Sequence, residues 1–263
     1  SASVDSLTVL VGTGANNNNF PYEISVSYTS NFFANVSTLT FASHQLGVAV
    51  SSAGLSANVT YFIRARALWN ASKSNLLMGA SGYTNIISTV SYPALPVSSI
   101  TVVSTNSITM VISSGTNQLG RYNVQISTDS DFGDTLANAY VFSSTGNLTP
   151  AATTYGNLLF GASYYVRVRT LWNGQKDGLE NNASSYVSIT TCTRPVLPNI
   201  SIVGVGVASF TVRVDTGNNT SSMPFEISYT TSSNFRTPVA TATIPSDLIG
   251  GNTSFAGLIP NAT

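Results

Sequence analysis

The chain repeats itself, and the length of the repeat restricts the fold more than any other feature. Tyr61-Phe62-Ile63-Arg64-Ala65-Arg66-Ala67-Leu68-Trp69-Asn70 returns 103 residues on as Tyr164-Tyr165-Val166-Arg167-Val168-Arg169-Thr170-Leu171-Trp172-Asn173. Leu95-Pro96 returns 102 residues on as Leu197-Pro198. A further block occurs three times: Tyr22-Glu23-Ile24 is followed ten residues later by Phe32, Tyr122-Asn123-Val124 by Phe132, and Phe225-Glu226-Ile227 by Phe235. Upstream of these stand Leu7-Thr8-Val9, Ile108-Thr109-Met110 and Phe210-Thr211-Val212. A period of this size in a 263-residue chain means a tandem array of small domains, each with its own core.

Within each repeat the hydrophobic pattern has a period of two. Leu7, Val9 and Val11 alternate along the chain, as do Tyr22, Ile24 and Val26, and Tyr61, Ile63 and Ala65. Val, Ile, Thr and Tyr are frequent in these runs, which favours half-buried strands. Turn residues separate the runs, at Gly12-Thr13-Gly14, Asn16 to Asn19, Ser114-Gly115, Gly217-Asn218 and Gly250-Gly251. No window shows a helical period of useful length. Short strands in units of about a hundred residues, punctuated by Pro-containing junctions, imply an all-β fold of tandem β-sandwiches.

Leu55 precedes Tyr61 by six residues and Leu158 precedes Tyr164 by six, each Tyr opening an alternating strand. This passage resembles the L-x-x-x-x-x-Y-x-[VI]-x-[VA] corner of fibronectin type III domains. The resemblance implies that these tyrosines form the tyrosine corner ahead of strand F. It places Leu7, Ile108 and Phe210 on strand B, Tyr22, Tyr122 and Phe225 at the start of strand C, and Tyr83 and Tyr186 at the start of strand G. The usual strand-B Trp is missing, and of the Pro and Thr of the corner only Pro260 keeps its place. The expected units are residues 1–94, lacking strand A; 95–196, complete; and 197–263, lacking strands F and G. Two readings of the incomplete units follow: a window on a longer array, which is favoured, or completion by strands from neighbouring molecules.

Composition narrows the function classes. Charged residues are 8% of the chain, ten basic against ten acidic, and solubility falls to 71 Ser+Thr and 25 Asn. A net charge of zero excludes the electrostatic footprint of a nucleic-acid binder. No run of eighteen apolar residues spans a bilayer, and the single cysteine, Cys192, excludes a disulfide framework within the chain. No signal-peptide pattern opens the sequence. The balance points to an extracellular or surface location.

Ten N-x-S/T sequons stand at Asn35, Asn58, Asn70, Asn147, Asn182, Asn199, Asn218, Asn219, Asn252 and Asn261. Nearly all fall in expected loops or at strand ends, where a glycan can sit in solvent. Arg64, Arg66, Arg167 and Arg169 alternate with inward apolar residues and should lie on the outer face of strand F, with Glu23 across from them on strand C. Cross-strand ion pairing or stem packing over the sheet is the simple reading of this stripe, and an anionic-glycan surface the functional one. Trp69 and Trp172 end the same strand and should pack on their own loop or the next module. Asp129, Asp131 and Asp134 lack the Gly and bidentate Glu of a calcium loop and read as a solvated turn. Lys176-Asp177-Gly178 is a poor match to an integrin tripeptide. With His44 the only histidine and no nucleophile motif in place, no enzyme, metal site or cofactor is expected. The expected role is structural: an extracellular filament, fibre or surface layer that self-associates. An adhesin stalk, a viral fibre or a carbohydrate-binding accessory module is the alternative.

Overall fold

The computed structural model describes residues 2–12, 14–15, 20–34, 36–42, 49–68, 79–117, 121–142, 151–173, 181–220, 223–232, 234–236 and 240–259. The second module shows the architecture most fully. One sheet has the order β7 (Val97–Val103), β8 (Ile108–Ser113) and β11 (Ala151–Tyr155), hydrogen-bonded as β7–β8–β11. The other has the order β10–β9–β12–β13, formed by β9 (Arg121–Ser127), β10 (Thr135–Phe142), β12 (Ser163–Thr170) and β13 (Val187–Cys192). In strand letters these sheets are A–B–E and C′–C–F–G, and every pairing within them is antiparallel.

The period-two pattern decides which side chains meet between the sheets. Ile108, Met110 and Ile112 from β8 face Tyr122, Val124 and Ile126 from β9 and Tyr164, Val166 and Val168 from β12. Burying a side chain of this size is worth about 1.5–3 kcal/mol, so this one cluster supplies most of the module's hydrophobic stabilisation. Ile100 of β7 and Ile189 of β13 close the cluster at its flank.

The first module repeats the second sheet as β3–β2–β5–β6, from β2 (Tyr22–Ser27), β3 (Val36–Phe41), β5 (Thr60–Ala67) and β6 (Ile87–Val90). Opposite it, β1 (Ser6–Leu10) pairs with β4 (Ala49–Ala53). Tyr83 stands four residues ahead of β6, not at its start; Thr84 still donates to Ala65 O at 2.8 Å, so the segment already runs beside β5. The third module has β14 (Asn199–Val205), β15 (Ser209–Asp215) and β18 (Asn252–Ala256) in one sheet, with β16 (Phe225–Tyr229) and β17 (Ala240–Ile244) in the other. Among the described residues β16 is paired along one edge only.

The tyrosine corner forms as the resemblance implies. Ser56 N–H donates to Tyr61 Oη at 2.7 Å, and Leu159 N–H donates to Tyr164 Oη at 2.8 Å. Each phenol thus satisfies a backbone donor at the E–F turn while its ring fills the core. Replacing Tyr164 with Phe should keep the ring and orphan the Leu159 N–H, destabilising the second module by about 1–3 kcal/mol. Urea unfolding read through amide exchange on β12 will measure it, and an unchanged midpoint would show that the corner is only a shape.

Candidate functional site

The chain must pass from one sandwich to the next without leaving backbone polar groups unpaired, and the residues that achieve this form a buried polar site outside the sheets. At the first joint Asn117, in the turn between β8 and β9, grips the linker residue Ala94. Its Oδ1 accepts from Ala94 N–H at 2.8 Å, while Nδ2 donates to Ala94 O at 3.1 Å and to Ser114 O at 2.7 Å. The amide imitates a paired strand, and Asn117 is fully buried. Its backbone also bridges Ala57, at the E–F turn of the first module. The turn carries Gly115 at φ +60°, where a Cβ would stand 3.4 Å from Leu95 O.

The first module returns the contact with Asn58, buried at φ +58°. Asn58 Nδ2 donates to Leu171 O at 2.9 Å and its Oδ1 accepts from Asn173 N–H at 2.9 Å, while Asn173 Nδ2 donates to Asn58 O at 3.1 Å. Trp172 completes the seam: Nε1–H donates to Ser91 O at 3.2 Å, and its ring meets Tyr92 edge-on at 5.8 Å. The expectation that this Trp packs on its own loop or the next module is therefore corrected, since it packs on the preceding one.

The second joint uses the same device. Asn219 Oδ1 accepts from Val196 N–H at 2.7 Å, and Nδ2 donates to Val196 O at 2.8 Å and Thr216 O at 2.7 Å. Its backbone bridges Phe160, the counterpart of Ala57. Gly217, at φ +62°, would bring a Cβ to 3.0 Å from Leu197 O. Gly161 replaces Asn58 here and accepts from Thr220 Oγ1 at 2.9 Å.

These joints overturn two of the sequon expectations. Asn58 and Asn219 are buried with both amide atoms engaged, so neither Nδ2 has room for a glycan. Asn182, Asn199, Asn218 and Asn252 are exposed. Asn35, Asn70, Asn147 and Asn261 lie outside the described residues, as do His44, Trp69 and Lys176-Asp177-Gly178. Sequence reasoning missed the clasp itself, although its signal recurs three times in register after strand B: Gly14-Ala15-Asn16, Gly115-Thr116-Asn117 and Gly217-Asn218-Asn219.

The arginine stripe is a ladder of guanidinium groups and rings. Arg64 lies between Phe32 and Tyr83, its Cζ 4.1 and 3.7 Å from the two ring centroids, and Arg66 sits 4.6 Å from Tyr83. Arg167 lies likewise between Phe132 and Tyr186, at 4.0 and 4.2 Å, with Arg169 at 4.6 Å from Tyr186. Each such contact is worth about 0.5–1 kcal/mol where exposed. Phe32 and Phe132 adopt φ +56° and +60°, which costs a non-glycine residue roughly 1–2 kcal/mol, and the stacked arginine helps offset it.

Glu23 takes part as expected, accepting from Arg66 at 3.0 Å and from the Tyr83 hydroxyl at 2.8 Å. Burial pushes its carboxyl up, but the Arg66 and Tyr83 hydrogen bonds, the Arg66 charge and Ser25 together hold it below its ordinary value. In the second module Asn123 replaces Glu23 and accepts from Tyr186 at 2.8 Å. Asp129 and Asp131 hydrogen-bond to each other in their turn, which lowers the first and raises the second. Cys192 is exposed at the end of β13.

No protein-family model matches the sequence, and no curated protein does. Among solved structures the chain is similar to a two-domain fibronectin type III segment of chicken tenascin, with 15% identity, a TM-score of 0.48, and coverage of 73% of this chain and 95% of that one. The strand order A–B–E over C′–C–F–G decides the fold on this chain's own pairings. It is a fibronectin type III-like β-sandwich, repeated in tandem.

Two outcomes follow for these sites. Asn117→Ala should orphan the Ala94 peptide and cost about 1–3 kcal/mol at the joint. Small-angle scattering should show a broadened range of module angles, and an unchanged profile would deny the clasp its role. Glu23, held low in the folded state, contributes stability that is present above its unfolded value of about 4.3 and is lost as pH falls through the folded value. The stability difference between the parent and Glu23→Gln should therefore shrink on acidification below about pH 4 in a urea–pH series.

Proposed function

We propose that the chain is a structural component of an extracellular filament, fibre or surface layer, in which tandem sandwiches act as spacers of fixed orientation. The observation that carries this reading is the recurrence of one clasp at both joints, with Asn117 on Ala94 and Asn219 on Val196. Flexible tethers between binding domains have no need of such a device, because Gly/Ser-rich linkers behave as free coils. A repeated clasp instead passes one module's orientation to the next, as in quasi-one-dimensional arrays. The outer surface suits this role, since Ser, Thr and Asn offer lateral hydrogen bonding without the repulsion of a high net charge. The paired arginines serve the same role by bracing the outer sheet, and the Glu23–Arg66 pair leaves less free charge for an anionic ligand.

Glycans on the exposed sequons would add solubility to a surface of 8% charge. In a host with the machinery, site mapping among the described sequons should find modification at Asn182, Asn199, Asn218 or Asn252 and none at Asn58 or Asn219. Modification of either buried site would mean that the joints open in the native protein. Electron microscopy of the native material, read with intact mass, tests the main proposal: straight filaments or rods of regular axial repeat are expected. Dispersed monomers with freely hinged modules would overturn it and favour an adhesin stalk, a viral fibre or a carbohydrate-binding accessory module.

A further inference from the structure

β10 and β11 are edge strands of the two sheets of the second module, and they do not pair with each other. Where the start of β10 faces the end of β11, a cavity of about 600 Å³ opens. Ile126, Ala137, Leu158 and Tyr164 line it, all of them from this one module. Leu136 and Leu159 line it too and are 54% and 60% exposed, so they stand at its mouth. No charged side chain takes part in the lining.

Two features of this cavity have no counterpart in the other modules. Thr135 pairs with Ser127 and Ala137 with Ile126, so Leu136 is the extra residue of a β-bulge, whereas β3 follows β2 and β17 follows β16 in unbroken register. Bulges re-aim side chains and recur beside functional sites. The second feature is Tyr155. It pairs with Ile108 as Ser52 pairs with Leu7 and Phe255 with Phe210. Phe255 is buried there without a hydroxyl and Ser52 without a ring, so the sandwich does not require a phenol at this place. Yet Tyr155 is only 7% exposed, and its Oη is closed off from water with no hydrogen bond among the described residues. Burial pushes this phenol up to about 12, against a smaller opposing pull from Thr153, whose hydroxyl is out of bonding geometry. It therefore stays a neutral donor with nothing to donate to, and such a buried group is costly. Tyr164 adds a second spare proton. Its Oη accepts from Leu159 N–H but donates to no described residue, whereas Tyr61 Oη also donates to Ser56 O at 3.4 Å.

We propose that the cavity between β10 and β11 binds a neutral small molecule with an apolar body and an oxygen acceptor, such as a ketone, ester or ether, whose oxygen takes the Tyr155 proton. This goes beyond the structural role proposed above and does not require filaments to form. The size lies within the range of roughly 300–1,000 Å³ common to small-molecule sites, which likewise combine apolar walls with a few polar groups. A carboxylate or phosphate would be desolvated here without a cation to pair with, and a sugar would bring more hydroxyls than the walls can satisfy. An apolar side chain from another protein would cover Leu136 and Leu159 but leave the phenol orphaned. An acceptor instead gives the Tyr155 ring a reason to turn toward the cavity, since an unmade hydrogen bond is exchanged for a made one.

The probes are acetylnaphthalene, ethylnaphthalene of nearly the same shape without the carbonyl, and charged naphthoate, each titrated against the whole chain with methyl NMR as readout. Acetylnaphthalene should saturate one site, shifting the methyls of Ile126, Leu136 and Leu158, and bind about three- to tenfold tighter than ethylnaphthalene. Naphthoate should not bind. Tyr155→Phe, the residue that the third module already uses as Phe255, should abolish the preference for the ketone and leave ethylnaphthalene binding unchanged. Without a probe, the same variant should unfold in urea at an equal or higher midpoint. A lower midpoint would give the hydroxyl a structural role and overturn the proposal. Equal binding of the two neutral probes, a preference that survives Tyr155→Phe, or no uptake of either probe overturns it as well. Self-association that Leu136→Lys abolishes, with no probe bound, would hand the cavity to a second copy and refute the small-molecule reading.

Discussion

A chain that leaves one sheet and enters another carries peptide groups that no strand can pair, and this architecture depends on how they are satisfied. Asn117 and Asn219 each present an amide that accepts from a linker N–H and donates to the carbonyl of the same residue. An orphaned buried peptide group costs about as much as a core methylene or more. The neighbouring choices follow from this requirement. A glycine two residues earlier must be left-handed to aim the asparagine at the linker, and the prolines on either side of the gripped residue remove donors that would otherwise need partners. The backbone bridges to Ala57 and Phe160 then tie the preceding module to the same turn.

The outer sheets obey a related rule, with rings in place of amides. A guanidinium stacked between two aromatic faces keeps its charge in reach of water while covering apolar surface. Because the turn after strand C, strand F and the segment ahead of strand G each supply one layer, the stack ties these three pieces of chain together. The first two modules vary its polar end, Glu23 in one and Asn123 in the other, with Tyr83 and Tyr186 donating to the group in each case. The tie therefore tolerates loss of the ion pair but keeps the rings.

The tandem sandwich was legible in the sequence because alternation and the Leu-to-Tyr spacing are local properties. Tyr61 and Tyr164 could be placed at their corners because the Leu-to-Tyr passage resembles the fibronectin type III corner, and the Arg66–Glu23 pair was expected from alternation on adjacent strands. Asn58 and Asn219 were read as glycan acceptors because a sequon records only two neighbours, whereas burial at a joint depends on residues 113 and 115 positions away for Asn58 and 23 away for Asn219. Trp172 was placed on the wrong neighbour for the same reason. Phe32 and Phe132 recur in the sequence, but their left-handed backbone carries no mark there, since what offsets its strain is an arginine from another strand.

The clasp has a mechanical corollary. Its hydrogen bonds grip one residue per linker, so releasing it frees at most the five residues Tyr92 to Pro96 or their counterparts. At full stretch that yields no more than about 17 Å, against roughly 340 Å from unravelling a hundred-residue module. A joint of this kind stores almost no slack. Under tension it acts as a stop on rotation, and any long extension has to come from loss of a whole sandwich.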